Sequence, residues 1–367
     1  MRIIELETEG FRMLADQKIE FCEGTNIILG ANAQGKTTLL EAAYLMTGAP
    51  SFRARYDREL IRFDGDMTII RGKVESGGRE QKIELRIRRG TGRRSFRNGV
   101  KSSSAELGDV LRAVIFSPDD LQLVRGGPGL RRQQIDRAIG QLRPGYARRL
   151  TEYERVLEQK RAILRGWHEK ASLLEMLEEY SAALCAASVH IIRARASYVR
   201  RLGEEAGRIH GEFTDKREEL RLRYRCGAGI EDAEAPAREI YEKLYTRQAE
   251  LRQAELDSGL CLVGAHRDEM EIEVSGREAR AYASQGQART AAISVKLAER
   301  EILEKETEES PILLLDDVLS ELDAGRRSYL LHRLGGSQTL ITSCEETELG
   351  PARYYLKGGK VYPTFAV

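Results

Sequence analysis

The most constraining feature of this chain is a glycine-containing turn near its amino terminus. The turn is formed by Gly30, Ala31, Asn32, Ala33, Gln34, Gly35, Lys36 and Thr37, and Thr38 continues it into a helix-like run. It matches the Walker A pattern in full, between a strand-like run at 25–29 and the helix-like run at 38–45. Successive backbone N–H groups at such a turn face a phosphate, with the positive end of the helix behind them. An ordinary glycine-rich turn is the alternative, and the strand–turn–helix context favours phosphate binding.

A second segment, which is acidic, is expected to bind the metal ion that accompanies the same phosphates. The apolar run at 312–315 is typical of a central parallel strand, and Asp316 and Asp317 follow it directly. Lys36 would bridge the β- and γ-phosphates, while Thr37 and Asp316 would hold Mg²⁺. Asp317 is the candidate to orient or deprotonate the attacking water. In isolation, such an acidic pair is as often a helix cap.

A third segment comes before the helix-like run at 288–304. It consists of Ser284, Gln285, Gly286 and Gln287. Alone, these residues are best interpreted as a plain helix cap, because serine is a common N-cap. In a chain that also has a P-loop, the same helix start can contact the γ-phosphate of a nucleotide held by another copy. This interpretation predicts an ATP-dependent homodimer, with Ser284 joining Lys36, Asp316 and Asp317 as the candidate catalytic residues.

Composition limits the remaining possibilities. The chain has 367 residues, with 59 Lys and Arg against 58 Asp and Glu and a net charge of +1, so any attraction to nucleic acid must be local. The five cysteines are scattered without a C-x-x-C pair, which favours reduced thiols over disulfides or a zinc site. No apolar stretch approaches the roughly 18 residues of a membrane span. We therefore expect a soluble cytoplasmic protein that does not enter a membrane.

The patterns along the chain indicate an α/β nucleotide-binding domain built from both ends. Residues 1–125 are predicted to hold the P-loop and an antiparallel β subdomain, with a hairpin turn at Asn98 and Gly99. Residues 126–256 are predicted to form an inserted helical domain, because apolar residues recur there at three- and four-residue steps. Lys160 interrupts this apolar stripe, and its aliphatic stem is expected to cover it. Residues 257–367 return to α/β character, with strands at 259–264, 269–274, 312–315 and 339–342.

Together, these motifs resemble the ATP-binding-cassette superfamily and, within it, the RecF family of bacterial DNA-repair ATPases. The resemblance rests on GANAQGKT, YASQGQARTAAIS and ILLLDDVLSELD, and on shorter pieces such as GFR at 10–12, FSPDDL at 116–121 and GAHRD at 264–268. It implies an ATP-binding-cassette head with Walker A at 30–37, the signature motif at 284–287 and Walker B at Asp316 and Asp317. A D-loop at 320–323, ending in Asp323, would cross the dimer interface.

Some positions depart from the family pattern. Ala31 stands where an acidic residue is expected, and Ala265 where proline is expected. Transporter-type cassettes end Walker B with glutamate, whereas the shorter Asp317 predicts slow hydrolysis. Thr342 and Ser343 occupy the place of the transporter switch histidine, which makes them candidate γ-phosphate sensors. The resemblance also makes Gln122 a candidate loop glutamine that reaches Mg²⁺ or water.

Two sets of basic residues are candidate DNA contacts. The stretch at 85–101 holds six arginines and one lysine without any Asp or Glu. A solvated hairpin is the alternative, and the RecF resemblance favours salt-dependent contact with DNA phosphates. A second set lies at the entry to the helical insertion. The candidate DNA-binding residues from the two sets are Arg86, Arg88, Arg93, Arg94, Arg97, Arg131 and Arg132.

The resemblance implies a weak, DNA-dependent ATPase with ATP and Mg²⁺ as ligands. An ATP-joined dimer would bind double-stranded DNA and single-strand/double-strand junctions at gaps, and hydrolysis would release it. The implied partner is a RecR-type mediator protein, and the implied roles are recombinase loading in recombinational repair and support of the SOS response. Two alternatives are the ATPase subunit of a membrane transporter and a structural DNA tether like the SMC proteins.

Overall fold

The computed structural model of the protein describes residues 1–344 and 352–364, and it divides the chain into two compact units. Unit 1 comprises Met1–Leu121 and Ala292–Val367, and unit 2 comprises Gln122–Ala291. The elements up to the end of the first segment are β1 (Arg2–Glu9), β2 (Gln17–Glu20), β3 (Thr25–Leu29), α1 (Lys36–Leu45), β4 (Met67–Ser76), β5 (Arg79–Arg88), β6 (Gly92–Arg97), β7 (Val100–Ser102), α2 (Ser104–Gly108) and β8 (Ala113–Phe116).

The elements from the unit boundary onward follow in two groups. The middle group is α3 (Leu121–Arg125), α4 (Pro128–Leu142), α5 (Pro144–Gly166), α6 (Leu174–Phe213), β9 (Leu220–Arg225), α7 (Ala237–Glu250), α8 (Arg252–Ser258), β10 (Glu269–Val274), β11 (Arg277–Glu278) and α9 (Ala279–Tyr282). The last group is α10 (Gln285–Thr307), β12 (Ile312–Asp316), α11 (Ala324–Arg333), β13 (Thr339–Ser343), β14 (Ala352–Lys357) and β15 (Lys360–Thr364).

Unit 1 contains two sheets that share one hydrophobic core. An antiparallel sheet has the order β2-β1-β4-β5-β6-β7, and a mostly parallel sheet has the order β15-β14-β3-β13-β12-β8. Helix α1 packs against strands of both sheets, which is why nearly all of its side chains are buried. At one point the approach is so close that a Cβ on Gly72 of β4 would lie 2.1 Å from the sulfur of Met46.

The apolar run at 312–315 forms a central strand, as predicted. All side chains of β12 and β13 are buried, and these two strands are parallel neighbours in the middle of the sheet. The predicted hairpin turn is also confirmed, because Arg97 pairs with Val100 across Asn98 and Gly99, which both have positive φ. The fold class predicted from the sequence, an α/β cassette-type head with an antiparallel subdomain and an inserted domain, is therefore the observed one.

Unit 2 was predicted to be helical, but it combines long helices with a small sheet. Its 40-residue helix α6 packs against α5, α4 and α7, and it also packs against β9. Strand β9 pairs with β10, and β10 pairs with β11, forming a small antiparallel sheet. Because β10 belongs to this sheet, the second unit continues to Ala291, well beyond the boundary predicted at 256.

Two further predictions for this unit are corrected. Residues 259–264 form a loop instead of a strand, since the backbone N–H of Leu262 donates to the Glu255 carboxylate at 2.7 Å. Lys160 was expected to cover the apolar stripe with its stem, yet its ammonium is fully buried and pairs with Glu255 at 2.7 Å. Among the residues that the structure describes, no helix has the length and apolarity needed to cross a membrane.

Candidate active site

The P-loop lies between β3 and α1, and close backbone contacts fix its shape. A Cβ on Gly30 would lie 2.5 Å from the carbonyl oxygen of Leu356 in β14, so only glycine fits there. Gly35 has φ 107° and Ala33 has φ 61°, both in the left-handed region. The Gln34 side chain accepts a hydrogen bond from Gly358 N–H at 2.6 Å. The turn predicted from the sequence is therefore a sharply bent loop held by the β14–β15 hairpin.

Lys36 is the first residue of α1, and its side chain folds back beneath the loop. Its ammonium donates to the carbonyl oxygen of Gly30 at 2.6 Å and lies 2.9 Å from the sulfur of Cys344. The residue is buried, with 6% of its surface exposed. A lysine charge is thus fixed at the mouth of the P-loop, where the predicted contact with β- and γ-phosphates requires it.

A cluster of oxygen atoms joins the start of α1 to the ends of two central strands. The Thr37 hydroxyl donates to Asp316 Oδ1 at 2.8 Å, and Thr342 Oγ1 lies 3.0 Å from the same oxygen. Asp316 and Thr342 are opposite each other at the ends of the parallel strands β12 and β13. Thr37 and Asp316, two of the three residues that the sequence predicts as metal ligands, therefore lie together at the carboxyl edge of the sheet, as expected for this fold class.

The electrostatics of Asp316 suit a metal ligand. Burial raises the pKa of its carboxyl group, the hydrogen bonds from Thr37 and Thr342 act in the opposite direction, and nearby Asp317 raises it further. A cation would relieve both the burial and the repulsion. Carboxylate and hydroxyl oxygens are the donors that Mg²⁺ prefers, so the donor set of Thr37 and Asp316 fits this metal.

Asp317 has a strained backbone that neighbouring groups hold in place. Its φ of 54° is uncommon for a residue other than glycine, and its N–H donates to the Thr342 hydroxyl at 2.9 Å. The Ser320 hydroxyl donates to the carbonyl oxygen of Asp317 at 2.7 Å. Thr342 of β13 thus contacts both acidic residues, Asp316 through its carboxylate and Asp317 through its backbone N–H. The sequence had indicated Thr342 only as a possible phosphate sensor, and that role stays a prediction.

Cys344 is a site residue that sequence reasoning missed. Its sulfur lies 2.9 Å from Lys36 Nζ, 2.9 Å from Asn32 Oδ1 and 3.2 Å from Asp317 Oδ2. It therefore contacts the P-loop and the Walker B turn at once. The only signal in the sequence was its position directly after the strand that follows Walker B, because a single cysteine matches no phosphate-site motif.

The predicted signature motif forms the exposed start of α10. Ser284 is the N-cap: its hydroxyl accepts from Gln287 N–H at 3.2 Å, and its own N–H donates to the Gln287 side chain at 2.9 Å. The Gln287 amide also donates to Glu218 at 2.9 Å. Ser284 and Gln285 are exposed, whereas Gly286 and Gln287 are partly covered. The capping interpretation is therefore correct, and the anion-binding interpretation stays a prediction for the same exposed helix end.

Of the remaining predicted nucleotide and metal residues, Asp323 and Gln122 lie on the surface, whereas Thr38 is buried in α1. Asp323 is the N-cap of α11, where it accepts from Arg326 N–H at 2.9 Å, and this bond lowers the pKa of its carboxyl group. Gln122 is an exposed residue of α3 whose carbonyl oxygen accepts from Gly126 N–H at 2.7 Å. Its role as a metal ligand stays a prediction.

The arginines of the β5–β6 hairpin divide between its two faces. Arg86 lies opposite Arg94, and both are exposed together with Arg88. The Arg86 guanidinium lies over the Phe96 ring at 4.8 Å. Within residues 1–344 and 352–364, neither Arg88 nor Arg94 makes an ion pair. These three side chains form what we call the hairpin arginine face.

Other members of the predicted DNA-binding set have structural partners. Arg93 lies opposite buried Ile87 and forms a two-pronged ion pair with Asp57, at 2.7 and 3.2 Å. Arg97 is partly buried and donates to Gln81 at 2.7 Å. The strand alternation of β6 directs both away from the exposed face. Both side chains therefore have partners within the fold, and their contact with DNA stays a prediction.

Arg131 and Arg132, the predicted pair at the entry to the insertion, also have partners within the fold. The Arg131 side chain is 6% exposed and pairs with Glu269 at 2.7 Å, while it also donates to the carbonyl oxygen of Gly126 at 2.8 Å. Arg132 donates to the carbonyl oxygen of Asp268 at 2.6 Å. Arg131 ties α4 to β10, and its burial argues against the predicted contact with DNA.

Comparisons with known proteins agree with the motifs. The family model described as RecF/RecN/SMC N terminal domain matches residues 2–357. The DNA replication and repair protein RecF of Acetivibrio thermocellus is 37% identical over 351 residues, which cover 95% of this chain and 94% of that protein. A solved structure of the recombination mediator protein RecF-ATPrS in the RecFOR pathway has a TM-score of 0.93 and 35% identity, covering 99% of this chain and 98% of the other. A second, of RecF-ATP in the same pathway, has a TM-score of 0.91 and 36% identity, covering 99% and 97%.

Proposed function

The chain belongs to the RecF family of DNA replication and repair ATPases, and on that premise we propose that two copies of it enclose ATP and grip DNA while the ATP is intact. The observation that carries the proposal is the cluster formed by Thr37, Asp316 and Thr342 directly beside the P-loop. The similarity to RecF structures described with ATP supports ATP as the nucleotide.

The side chains around the P-loop have distinct parts in the proposed reaction. The P-loop backbone and Lys36 hold the phosphates, and the lysine exchanges its bond to the Gly30 carbonyl oxygen for phosphate oxygens. Thr37 and Asp316 would hold Mg²⁺, which neutralises charge on the β- and γ-phosphates. Asp317 orients the attacking water and accepts its proton. Because aspartate reaches less far than glutamate, we propose that hydrolysis is slow.

The exposed start of α10 is the proposed contribution of the second copy. The hydroxyl of Ser284 and the first N–H groups of a 23-residue helix offer an anion site supported by the helix dipole. In the proposed dimer this helix end contacts the γ-phosphate held by the other copy. ADP lacks that phosphate, so it gives the closed dimer no differential stabilisation, and hydrolysis opens the dimer.

DNA contact is proposed for the hairpin arginine face, Arg86, Arg88 and Arg94. The guanidinium groups of Arg88 and Arg94, which make no ion pair within the described residues, can pair with phosphates and release counterions, which gives binding with little sequence preference. Arg86 pairs with Glu84 and would exchange that partner for a phosphate. We extend the proposal to gapped DNA and to single-strand/double-strand junctions, with ATP turnover stimulated by DNA. A RecR-type mediator, recombinase loading and support of the SOS response complete the proposed role, and family membership favours this role over a transporter subunit or a structural tether.

The association state tests the nucleotide part of the proposal. Sedimentation of the full chain at micromolar concentration with Mg²⁺ should give a dimer with ATP and a monomer with ADP. Lys36→Met should abolish the ATP effect by removing a phosphate contact, and Ser284→Arg should abolish it while ATP still binds. A wild-type protein that stays monomeric with saturating ATP contradicts the proposal.

The hairpin arginine face has its own test. The Arg88→Ala/Arg94→Ala variant should bind duplex DNA more weakly, and the slope of log K against log salt should fall by about two, since each phosphate contact contributes about 0.9. Arg225→Ala/Arg238→Ala is the matched control, because these arginines are also exposed but pair with Glu271 and Glu242. Equal slopes for the two variants would remove this face from the proposal.

A further inference from the structure

A cleft of about 500 Å³ lies in unit 2, between the first turns of α5 and the middle of α6. Its charged and polar lining comes mainly from six residues, which are Arg143, Arg148, Arg149, His190, Arg193 and Ser197. We call it the arginine cleft. Its volume lies within the range of about 300–1,000 Å³ that is usual for ligand sites.

The α5 side of the cleft concentrates positive charge where a helix is already positive. Arg143 is the N-cap of α5, Arg148 and Arg149 lie in its first two turns, and the first turn has no acidic residue. Helix amino termini usually attract Asp and Glu, because the helix dipole favours negative charge there. Three arginines at this end therefore leave a strong positive potential that an anion would neutralise.

The α6 side adds to the same potential. His190, Arg193 and Ser197 are three and four residues apart, so they share one face of α6. His190 Nδ1 lies 2.9 Å from an Arg149 guanidinium nitrogen. Burial lowers the pKa of His190, and Arg149 and Arg193 lower it further, while Glu152 acts in the opposite direction. A neutral His190 accepts a hydrogen bond from Arg149, which links the two sides of the cleft.

The cleft arginines contrast with several surface arginines of unit 2 that have counterions. Arg208, Arg238 and Arg247 each pair with a glutamate at 2.7 Å. By contrast, within the described ranges 1–344 and 352–364, Arg148 and Arg193 make no ion pair. The one carboxylate that lines the cleft, Glu234, is paired with Arg200 at 2.9 Å. The positive charge of the cleft is therefore left for a ligand.

We propose that the arginine cleft binds the phosphodiester backbone of nucleic acid, as a contact separate from the hairpin arginine face. Guanidinium forks match phosphate oxygens in pairs. An acidic protein segment would also need apolar anchors, and the cleft lining offers little beyond Ala194 and the Tyr146 ring, whose hydroxyl is bound to Asp136 at 2.5 Å. With no exposed aromatic ring in the lining to stack bases, the cleft grips the backbone without reading sequence.

The test compares two triple variants of the full chain that lose the same charge. Arg148→Ala/Arg149→Ala/Arg193→Ala removes cleft arginines, and Arg208→Ala/Arg238→Ala/Arg247→Ala removes arginines that already have glutamate partners. Fluorescence anisotropy with labelled duplex, labelled single strand and labelled polyglutamate is measured over a salt series without nucleotide. For the cleft variant, the salt slope for nucleic acid should fall by about two to three relative to the control. The strand type that loses more slope identifies the source of the backbone.

Three results would overturn the proposal. Equal slopes for the cleft and control variants would do so, as would a wild-type protein that binds neither strand type without nucleotide. A cleft variant that loses only polyglutamate binding would assign the cleft to an acidic protein instead. If the triple variant does not fold, the single Arg193→Ala and Arg193→Lys variants replace it. The alanine variant should then lose about one unit of slope and the lysine variant less, and no loss in either contradicts the proposal.

Discussion

Replacing Thr342 with valine tests whether one buried hydroxyl sets the geometry of both acidic residues in the site. Thr342 has no exposed surface, and its hydroxyl accepts from Asp317 N–H at 2.9 Å while lying 3.0 Å from Asp316 Oδ1. Valine keeps the branched shape but leaves the Asp317 N–H without its acceptor. An unsatisfied buried donor of this kind costs about 1–3 kcal/mol.

The catalytic consequence should exceed the loss of stability. The Asp317 backbone is held at a φ of 54° partly by this bond, so its carboxylate should move when the bond is lost. Misplacement of a catalytic group by about 1 Å costs up to ~100-fold in rate. We therefore expect ATP turnover to fall by about 10- to 100-fold, with little change in ATP affinity because the P-loop contacts remain.

Thr339→Val is the matched control. Thr339 lies on the same strand and is equally buried, but its hydroxyl bonds to the carbonyl oxygen of Ser337 at 3.3 Å, away from Asp316 and Asp317. Single-turnover hydrolysis, equilibrium binding of a fluorescent ATP analogue and urea midpoints would be measured for both variants. If the two variants hydrolyse ATP at the same rate, Thr342 has only a structural role and the reasoning fails.

Three further perturbations give distinct expectations. First, burial lowers the pKa of His266 to about 4 from 6.5, so between these two pH values the unfolded chain binds a proton that the folded chain does not. The free energy of unfolding should therefore rise by up to ~3 kcal/mol as the pH is raised from about 4 to about 6.5. His266→Gln should remove this part of the slope in urea unfolding, and an unchanged slope would contradict it. Second, Lys160→Met leaves the Glu255 carboxylate buried without its partner at 2.7 Å and should cost about 3–5 kcal/mol, whereas Arg161→Ala, from an exposed pair, should cost less than about 1 kcal/mol. Similar urea midpoints for these two would show that the buried pair is not stabilising. Third, alkylation by N-ethylmaleimide should block ATP binding in Cys22→Ser but not in Cys344→Ser, because only the Cys344 sulfur lies beside Lys36, at 2.9 Å. Equal inhibition of both variants would mean that Cys344 does not border the nucleotide.

The sequence predicted those parts of the site that depend on local backbone chemistry. The P-loop requires glycine where φ is positive and where β14 approaches closely, so its residue pattern is visible in the chain. The strand before Asp316 begins as a short, wholly apolar run, and the strand before the P-loop ends in one, which is what a central parallel strand requires. Ser284 indicated the start of a helix because serine commonly caps helices, and in the structure Ser284 is the N-cap of α10.

The sequence could not indicate which partners distant residues find. Arg93 and Arg131 belong to conspicuous basic runs, yet they pair with Asp57 and Glu269 from other parts of the chain. Strand β9 was missed within a helical stretch, although the alternation of Leu220 and Leu222 with arginines was a usable signal of period two. Cys344 carries no motif at all, and only the folded arrangement brings its sulfur to Lys36.

A mixing experiment tests the shared nucleotide site most directly. Lys36→Met lacks a working P-loop but keeps Ser284, whereas Ser284→Arg keeps the P-loop but lacks the signature serine. Alone, each variant should stay monomeric with ATP and hydrolyse little of it. Mixed in equal amounts, they should recover ATP-dependent dimers and up to about half of the wild-type activity, because only mixed dimers form and each of these has one complete site of its two. A mixture no more active than its separate components would contradict a site shared between two copies.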